Sequence, residues 1–377
     1  MRPDWLGEGT GVIRAAGAMT GTSMDGVDLA IIASDGLTIQ AFGPSYAQAF
    51  SPETRAVLRA GLGTWPGEAA AEAAARQIET AHIAAFAAFR AELQQDQQPE
   101  FLGFHGQTLA HEPGGRGTHQ AGDGDSLARA IGLPVIWDFR SSDVALGGQG
   151  APLAPFYHWA LAQWIGAERP LAFLNLGGVG NLTWVDPKTE APDAPGALMA
   201  FDTGPANAPI DDMMVERGLG TFDADGALAR RGRVDEPGVA EFMLDGYFHQ
   251  MPPKSLDRGS FDYLGEAVGG LGDADAAATL TACAAASVAR GLEHFRTEPE
   301  RILVTGGGRR NAALMAMLSD RTGLPIQPVE EVGLNGDALE AQAFAYLAIR
   351  VAKGMTTTAP GTTGVGAPVG GGRRAMP

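Results

Sequence analysis

Cysteine is nearly absent from this chain: Cys283 is the only one among 377 residues, so no internal disulfide framework can form. It lies in an Ala-rich apolar stretch and reads as a small core residue. No apolar run reaches about 18 residues, which excludes a membrane-spanning helix. Residues 1–10 are polar and lack a hydrophobic segment of signal type, so a cytoplasmic location is expected. Positive charge is also scarce, with 27 Lys and Arg against 44 Asp and Glu and a net charge of −17. Such a surface repels phosphate backbones and anionic lipid, which makes nucleic acid and membranes poor partners. A metal centre needs three or four convergent ligands; His105, His111 and Glu112 do not supply them, and no metal site is expected from side chains.

What is present is apolar material and glycine. Hydrophobic residues make up 45% of the chain, enough for sizeable cores, and the length suggests two domains. Apolar runs bounded by turn residues predict strands at 12–19, 27–34, 101–105, 134–139, 171–176, 181–185, 198–202 and 301–305. Helical spacing marks 68–95, 125–131, 211–218, 273–296, 311–321 and 337–351. The texture changes at Gly147-Gly148-Gln149-Gly150-Ala151-Pro152. A strand, Gly-rich turn and strand recur on either side of that change, at 19–32 and 175–185. Two similar halves facing each other would put a small-molecule cleft between them.

Six segments could carry chemistry. Thr20-Gly21-Thr22-Ser23-Met24-Asp25-Gly26-Val27-Asp28 is either an ordinary hairpin or a nest of N–H groups for phosphate oxygens. It is not a Walker A loop, because no Lys follows the glycines. Gly177 and Gly178 make a second such turn, equally readable as a plain bulged hairpin. Gly306, Gly307 and Gly308 join a buried strand to a helix starting near Asn311, a geometry that admits a nucleotide against the backbone. In Phe201-Asp202-Thr203-Gly204-Pro205-Ala206-Asn207 a carboxylate ends a buried strand, where Asp is costly unless paired or used; capping of the following helix is the other reading. His105, Gly106, Gln107 and Thr108 exit another strand and suit polar contacts to a sugar or turn capping. Asp138-Phe139-Arg140 offers an ion pair or a ligand clamp.

Taken in chain order, together with His111-Glu112-Pro113, Asp143-Val144-Ala145 and Asn175-Leu176-Gly177-Gly178, these segments resemble the anhydro-N-acetylmuramic acid kinase family over nearly the whole chain. The resemblance implies an α/β, two-domain actin-like ATPase (ribonuclease-H-like) fold with an interdomain cleft, divided here as 1–140 with 352–377, and 141–351. It implies ATP and Mg²⁺, with Gly21, Thr22, Ser23, Met24, Asp25, Gly26, Val27, Asp28, Gly177, Gly178, Gly306, Gly307, Gly308 and Asn311 at the nucleotide. Asp202 matches the catalytic base. His105, Gly106, Gln107, Thr108, Arg140 and Glu340 stand at the sugar, and a homodimer is suggested. The implied reaction opens 1,6-anhydro-N-acetylmuramic acid hydrolytically and phosphorylates it in peptidoglycan recycling. Another sugar kinase of the superfamily, or an actin-like structural ATPase, is the alternative; sedimentation with ATP separates the last. Ala206 stands where the family usually has Gly, and Val179-Gly180-Asn181 varies the usual sequence of the second turn.

Overall fold

The computed structural model describes residues 3–6, 11–21 and 23–377. Its strands in chain order are β1 (Ile13–Met19), β2 (Gly26–Ser34), β3 (Ile39–Ala49), β4 (Phe101–Phe104), β5 (Gln107–Glu112), β6 (Gly117–Ala121), β7 (Val135–Trp137), β8 (Leu171–Leu176), β9 (Val179–Val185), β10 (Leu198–Pro205), β11 (Ile302–Thr305), β12 (Ile326–Pro328) and β13 (Arg373–Ala375). They fall into two compact units. The first takes Met1–Trp164, Glu190–Pro195 and Ala338–Pro377; the second takes Ile165–Thr189 and Gly196–Asp337.

The first unit is built on a sheet of order β13-β7-β4-β1-β2-β3. β1 runs antiparallel to β2 and parallel to β4, and β7 continues the parallel half. Ala16, Ala18, Val27, Leu29, Leu102 and Phe104 form one core with Ile78, Phe86 and Phe89 of helix Ala69–Glu92. Gly17 alternates with these residues and meets helix Leu339–Ala352, as the period-2 pleat requires. A Cβ on Gly17 would sit 1.9 Å from the Ala341 carbonyl oxygen, and one on Gly103 would sit 2.5 Å from that of Phe344. The helix backbone therefore lies directly on the sheet, which explains the small residues of β1 and β4.

The second unit repeats the plan in order β10-β9-β8-β11-β12. β8, β9 and β10 are antiparallel neighbours, while β11 and β12 run parallel to β8. Counted afresh in each unit, and setting aside the hairpin β5–β6 and the added edge strand β13, both sheets read third-second-first-fourth-fifth. That is the ribonuclease-H-like order, present twice. Helices Asp273–Leu292 and Ala312–Thr322 share a core with Leu174, Leu182, Phe201, Ile302 and Val304.

Two departures from the expected elements have local causes. β3 and β5–β6 gave no strand signal, and β3 carries Gly43 and Pro44 in mid-strand. Both fit there because β3 is the sheet edge, where a missing N–H costs no ladder bond. The division of the chain also differs from 140 and 351. Pro155–Trp164 and Leu339–Ala352 lie in the first unit, the latter because it covers β1, β2 and β4. Cys283 is buried in an apolar cluster.

Gly17→Ala should lower the urea midpoint by an amount equivalent to roughly 1–3 kcal/mol, since the clash is with backbone and cannot be relieved by a rotamer. Gly11→Ala, whose added Cβ meets nothing within 4 Å, should leave the midpoint unchanged. Equal midpoints for the two variants would mean that the helix does not lie on β1.

Candidate active site

In the first unit the β1–β2 turn is short. The Met24 N–H donates to the Gly21 carbonyl at 3.1 Å, and Met24, not a glycine, takes the left-handed conformation with φ 53°. Ser23 and Asp25 are exposed while Met24 is buried. Gly26, Val27 and Asp28 already belong to β2, so only the residues up to Asp25 form a loop; Thr22 lies outside the described residues. Gly26 is glycine because β3, its antiparallel partner, lies close against it, with a Cβ there 2.4 Å from the Gln48 carbonyl oxygen.

Behind this turn is a hydrogen-bonded chain. The Thr20 hydroxyl donates to the Gly106 carbonyl at 2.9 Å. His105 Nδ1–H donates to the same oxygen at 2.8 Å, which leaves Nε2 as the acceptor for Arg140 Nε and Nη2 at 3.1 and 3.0 Å. Burial and the neighbouring guanidinium push His105 well below the usual imidazole range, so the ring is neutral. Arg140 Nη1 donates to the Gly150 carbonyl at 2.6 Å. The Gly150 N–H donates to Asp143, whose other oxygen accepts from the Thr358 and Thr363 hydroxyls, both at 2.6 Å. Burial pulls Arg140 down to about 10, opposed by the negative charges of Glu340 and Asp143, so it stays cationic at neutral pH. The His105 ring packs, tilted, against Phe344 at 4.5 Å, one turn from the exposed Glu340 on the same helix. His105, Gly106, Arg140 and Glu340 thus come together. Gln107 is buried, and its Oε1 has no hydrogen-bond partner among the described residues. Thr108 begins the β5–β6 hairpin beside it.

In the second unit, the carbonyls of the β8–β9 turn are fixed by the loop after β10. Asn207 N–H donates to Gly177 O at 3.0 Å, and the Ala206 and Ala208 N–H groups donate to Gly178 O at 2.9 and 3.2 Å. Gly306, at φ 73°, and Gly308 are pressed against Leu176, with hypothetical Cβ atoms 2.7 Å from its carbonyl oxygen and 2.5 Å from its Cβ. Asn311 caps helix Ala312–Thr322, its Oδ1 accepting from Leu314 N–H at 3.0 Å, which is the capping role. Arg309 locks the loop by donating to Glu330, Gly306 O and Asp337 at 2.9, 2.9 and 2.8 Å.

The glycines divide into two kinds. Gly26, Gly306 and Gly308 are demanded by protein backbone or side chains. At Gly307 an added Cβ meets nothing within 4 Å, at Gly177 only Val179 O at 3.8 Å, and at Gly21 only Ser23. Protein packing does not require glycine at these three, and a methyl there would fill space against which a flat or anionic group can rest. This fits a nucleotide. Among the described residues no three His, Cys, Asp or Glu side chains gather as a metal set; a Mg²⁺ carried on phosphates needs only one or two carboxylates.

Asp202 lies at a bulge of β10 between positions 202 and 204, where strand pairing is interrupted and a side chain can be re-aimed. Its Oδ1 accepts from Asn181 Nδ2 and its Oδ2 from the Leu256 N–H, each at 2.8 Å. Burial pushes the carboxyl up to about 6; the two donors oppose this and the charge of Asp257 adds to it. Tyr247 donates to the Asp202 carbonyl. Asn181 was visible in the second turn motif but had no role there, whereas the Leu256 loop, 54 residues on, left no sequence signal.

The family model described as anhydro-N-acetylmuramic acid kinase matches residues 13–373. The chain belongs to that family. The anhydro-N-acetylmuramic acid kinase 1 of Jannaschia sp. (strain CCS1) is 61% identical over 363 residues, 96% of this chain and 95% of that protein. The anhydro-N-acetylmuramic acid kinase of Cereibacter sphaeroides is 61% identical over 97% of both. A ROK family glucokinase from Streptomyces griseus, solved with glucose and AMPPNP, matches with a TM-score of 0.40 and 14% identity over 87% of this chain and 99% of that one, too remote to bear on the site. Within the family's pattern, Ala206 is buried in the second unit's core and its N–H holds the Gly178 carbonyl, so its methyl packs inward.

The Asp202 carboxyl has a stability consequence. Its folded value lies above its ordinary one of 3.8, so between about pH 4 and 6 the folded chain keeps a proton that the unfolded chain has lost. Stability from this group falls as pH rises through that window and stays lower above it. Asp202→Asn, with the Asn181 amide turned over to accept, should therefore melt roughly 1–3 °C above the parent at pH 8. The gap should close toward pH 4, and a gap independent of pH would count against the raised value.

Proposed function

We propose that this chain is an ATP-dependent kinase that opens 1,6-anhydro-N-acetylmuramic acid with water and phosphorylates it to N-acetylmuramic acid 6-phosphate, in peptidoglycan recycling. The observation that carries this is Asp202: a carboxylate at a strand bulge, held by two N–H donors, with its proton affinity raised to about 6, in a chain of this family. A general base works best when its pKa lies near the working pH.

The substrate's bicyclic ring ties the carbon-six oxygen to the anomeric carbon, so there is no primary hydroxyl to deprotonate. Asp202 instead takes a proton from a water as that water bonds to the anomeric carbon. The bond from the anomeric carbon to the carbon-six oxygen breaks, and that oxygen takes the γ-phosphoryl group as ADP leaves. The proton on Asp202 then passes to solvent. In this reading the turns containing Gly21, Gly177 and Gly307 hold the nucleotide, and a Mg²⁺ bound with it would supply charge neutralisation to the phosphates. Asn311 acts indirectly, by starting the helix behind the glycine loop. Arg140 and Glu340 face the sugar, and the partnerless Gln107 Oε1 is an acceptor for one of its donors. His105, neutral and with Nε2 already taken by Arg140, orients Arg140 and is no proton carrier. A cytoplasmic location and a homodimer go with this reading; among the described residues no helix is long and apolar enough to cross a membrane.

Two experiments test it. In ¹⁸O water the product should carry one heavy oxygen at the anomeric carbon and none in its phosphate ester; label in the ester would mean that the water oxygen took the phosphoryl group, and label only in free inorganic phosphate would mean ATP hydrolysis instead. Asp202→Asn should lower kcat by about 10²–10⁴-fold with calorimetric binding of ATP and sugar retained. Turnover within a few-fold of the parent would place the base elsewhere, and loss of binding with turnover would make Asp202 structural. Separately, Gly21→Val and Gly307→Val should fold normally and raise the KM for ATP several-fold. An unchanged KM in both would remove these turns from the nucleotide site.

A further inference from the structure

Asn181 is the third residue of β9 and pairs with Asp202 on one side and Asn175 on the other. Its topological counterpart in the first unit is the third residue of β2, Asp28, which pairs with Met19 and Ala47. The two units therefore treat the same place differently. In the first, the second strand carries a carboxylate opposite alanine. In the second, the third strand carries the carboxylate and the second strand an amide. An aspartate at 181 would set two carboxylates side by side at the 2.8 Å now spanned by a hydrogen bond.

We propose that Asn181 is a positioning residue for Asp202: its Nδ2–H aims one carboxylate oxygen while the Leu256 N–H holds the other, and the reaction depends on that amide donating. The inference rests on reading Asp202 as the base. The bulge after Asp202 frees the side chain from the regular pleat, so the two donors fix a direction that the strand alone would not. Both donors favour the ionised form, and without Asn181 only Leu256 would counter burial.

The ionisable groups around Asp202 are few. Asp257 follows Leu256 in the same loop and disfavours the anion. Tyr247 spends its hydroxyl on the Asp202 carbonyl. Lys254 stands 4.5 Å from the Tyr247 ring and 5.8 Å from that of Phe201. His294 meets the Phe201 ring edge-on at 5.4 Å. None of them replaces an amide directed at Oδ1.

The first measurement needs no variant. In ¹⁵N-labelled parent protein the Asn181 side-chain amide should titrate in step with the ¹³C signal of the Asp202 carboxyl, and should cease to titrate in Asp202→Asn. An Asn181 amide indifferent to pH from 4 to 8 overturns the inference, whatever the variants do. Asn181→Leu should move the acid limb of kcat/KM up by about one pH unit, and Asn181→Asp should move it further. Above the shifted limb both should remain about 10–100-fold slower than the parent, with ATP affinity kept. A structural role alone would lower the amount of active enzyme and leave the limb in place, which also overturns the inference. If the Asp202 carboxyl signal shifts in the variants while the kinetic limb does not, Asp202 is not the base and the positioning role falls with it. In that case Asp202→Asn would retain turnover, which separates that failure from a failure of Asn181 alone.

Discussion

Gly17 and Gly103 lie on neighbouring strands beneath one helix, and the missing Cβ atoms let the helix backbone rest on the sheet. Much of the first unit's site depends on that contact. The helix brings Phe344 under the His105 ring and presents Glu340 near Arg140. His105 in turn receives Arg140, and the Gly106 carbonyl beside it receives Thr20, the residue before the β1–β2 turn. Two extra methyl groups would lift the helix and disturb the groups arranged on it. The second unit uses the same device at Gly306 and Gly308, which close onto Leu176. Backbone-to-backbone approach tolerates no rotameric escape, and this makes it a stiff support for groups that must stay in place.

Opposed electrostatic effects meet at Asp202. Burial alone would leave a neutral carboxylic acid without basic function, while full solvation would leave a weak base fixed in no direction. Two N–H donors at 2.8 Å hold it between these limits. The arrangement lowers stability at neutral pH, since the folded state holds an anion it solvates less well than water does. His105 shows the opposite solution: burial beside a cation keeps it neutral, and both ring nitrogens are committed to hydrogen bonds. Burial thus raises the proton affinity of the one group and lowers that of the other.

The motifs legible in the chain were those whose chemistry is local. Gly-rich turns between apolar runs, an Asp closing an apolar run (inside β10 in the fold, at its bulge) and a His-Gly-Gln-Thr segment can each be seen within about ten residues. The long helices were readable from their spacing, and the doubled hairpin announced the doubled fold. β3 was not readable, because Gly43 and Pro44 break its pattern and only its place at the sheet edge makes them acceptable. Leu256 left no signal, and Asp143 carried part of the resemblance but no legible role, for a different reason. One contributes only a backbone N–H, and the other looks like any helix carboxylate until Gly150, Thr358 and Thr363 close on it.

Sequence alone determined the family and the repeated strand–turn–strand plan, because each depends on residue type and short-range order. Tertiary structure decided which glycines serve packing and which leave space, since that depends on what lies across from each Cα. It also decided that Met24 takes the left-handed position of its turn, that Asn311 caps a helix and that His105 is a neutral support. The charge state of Asp202 belongs with these. It follows from burial and from two donors, one of them 54 residues away, and burial is a property of the folded chain that no single stretch of sequence carries.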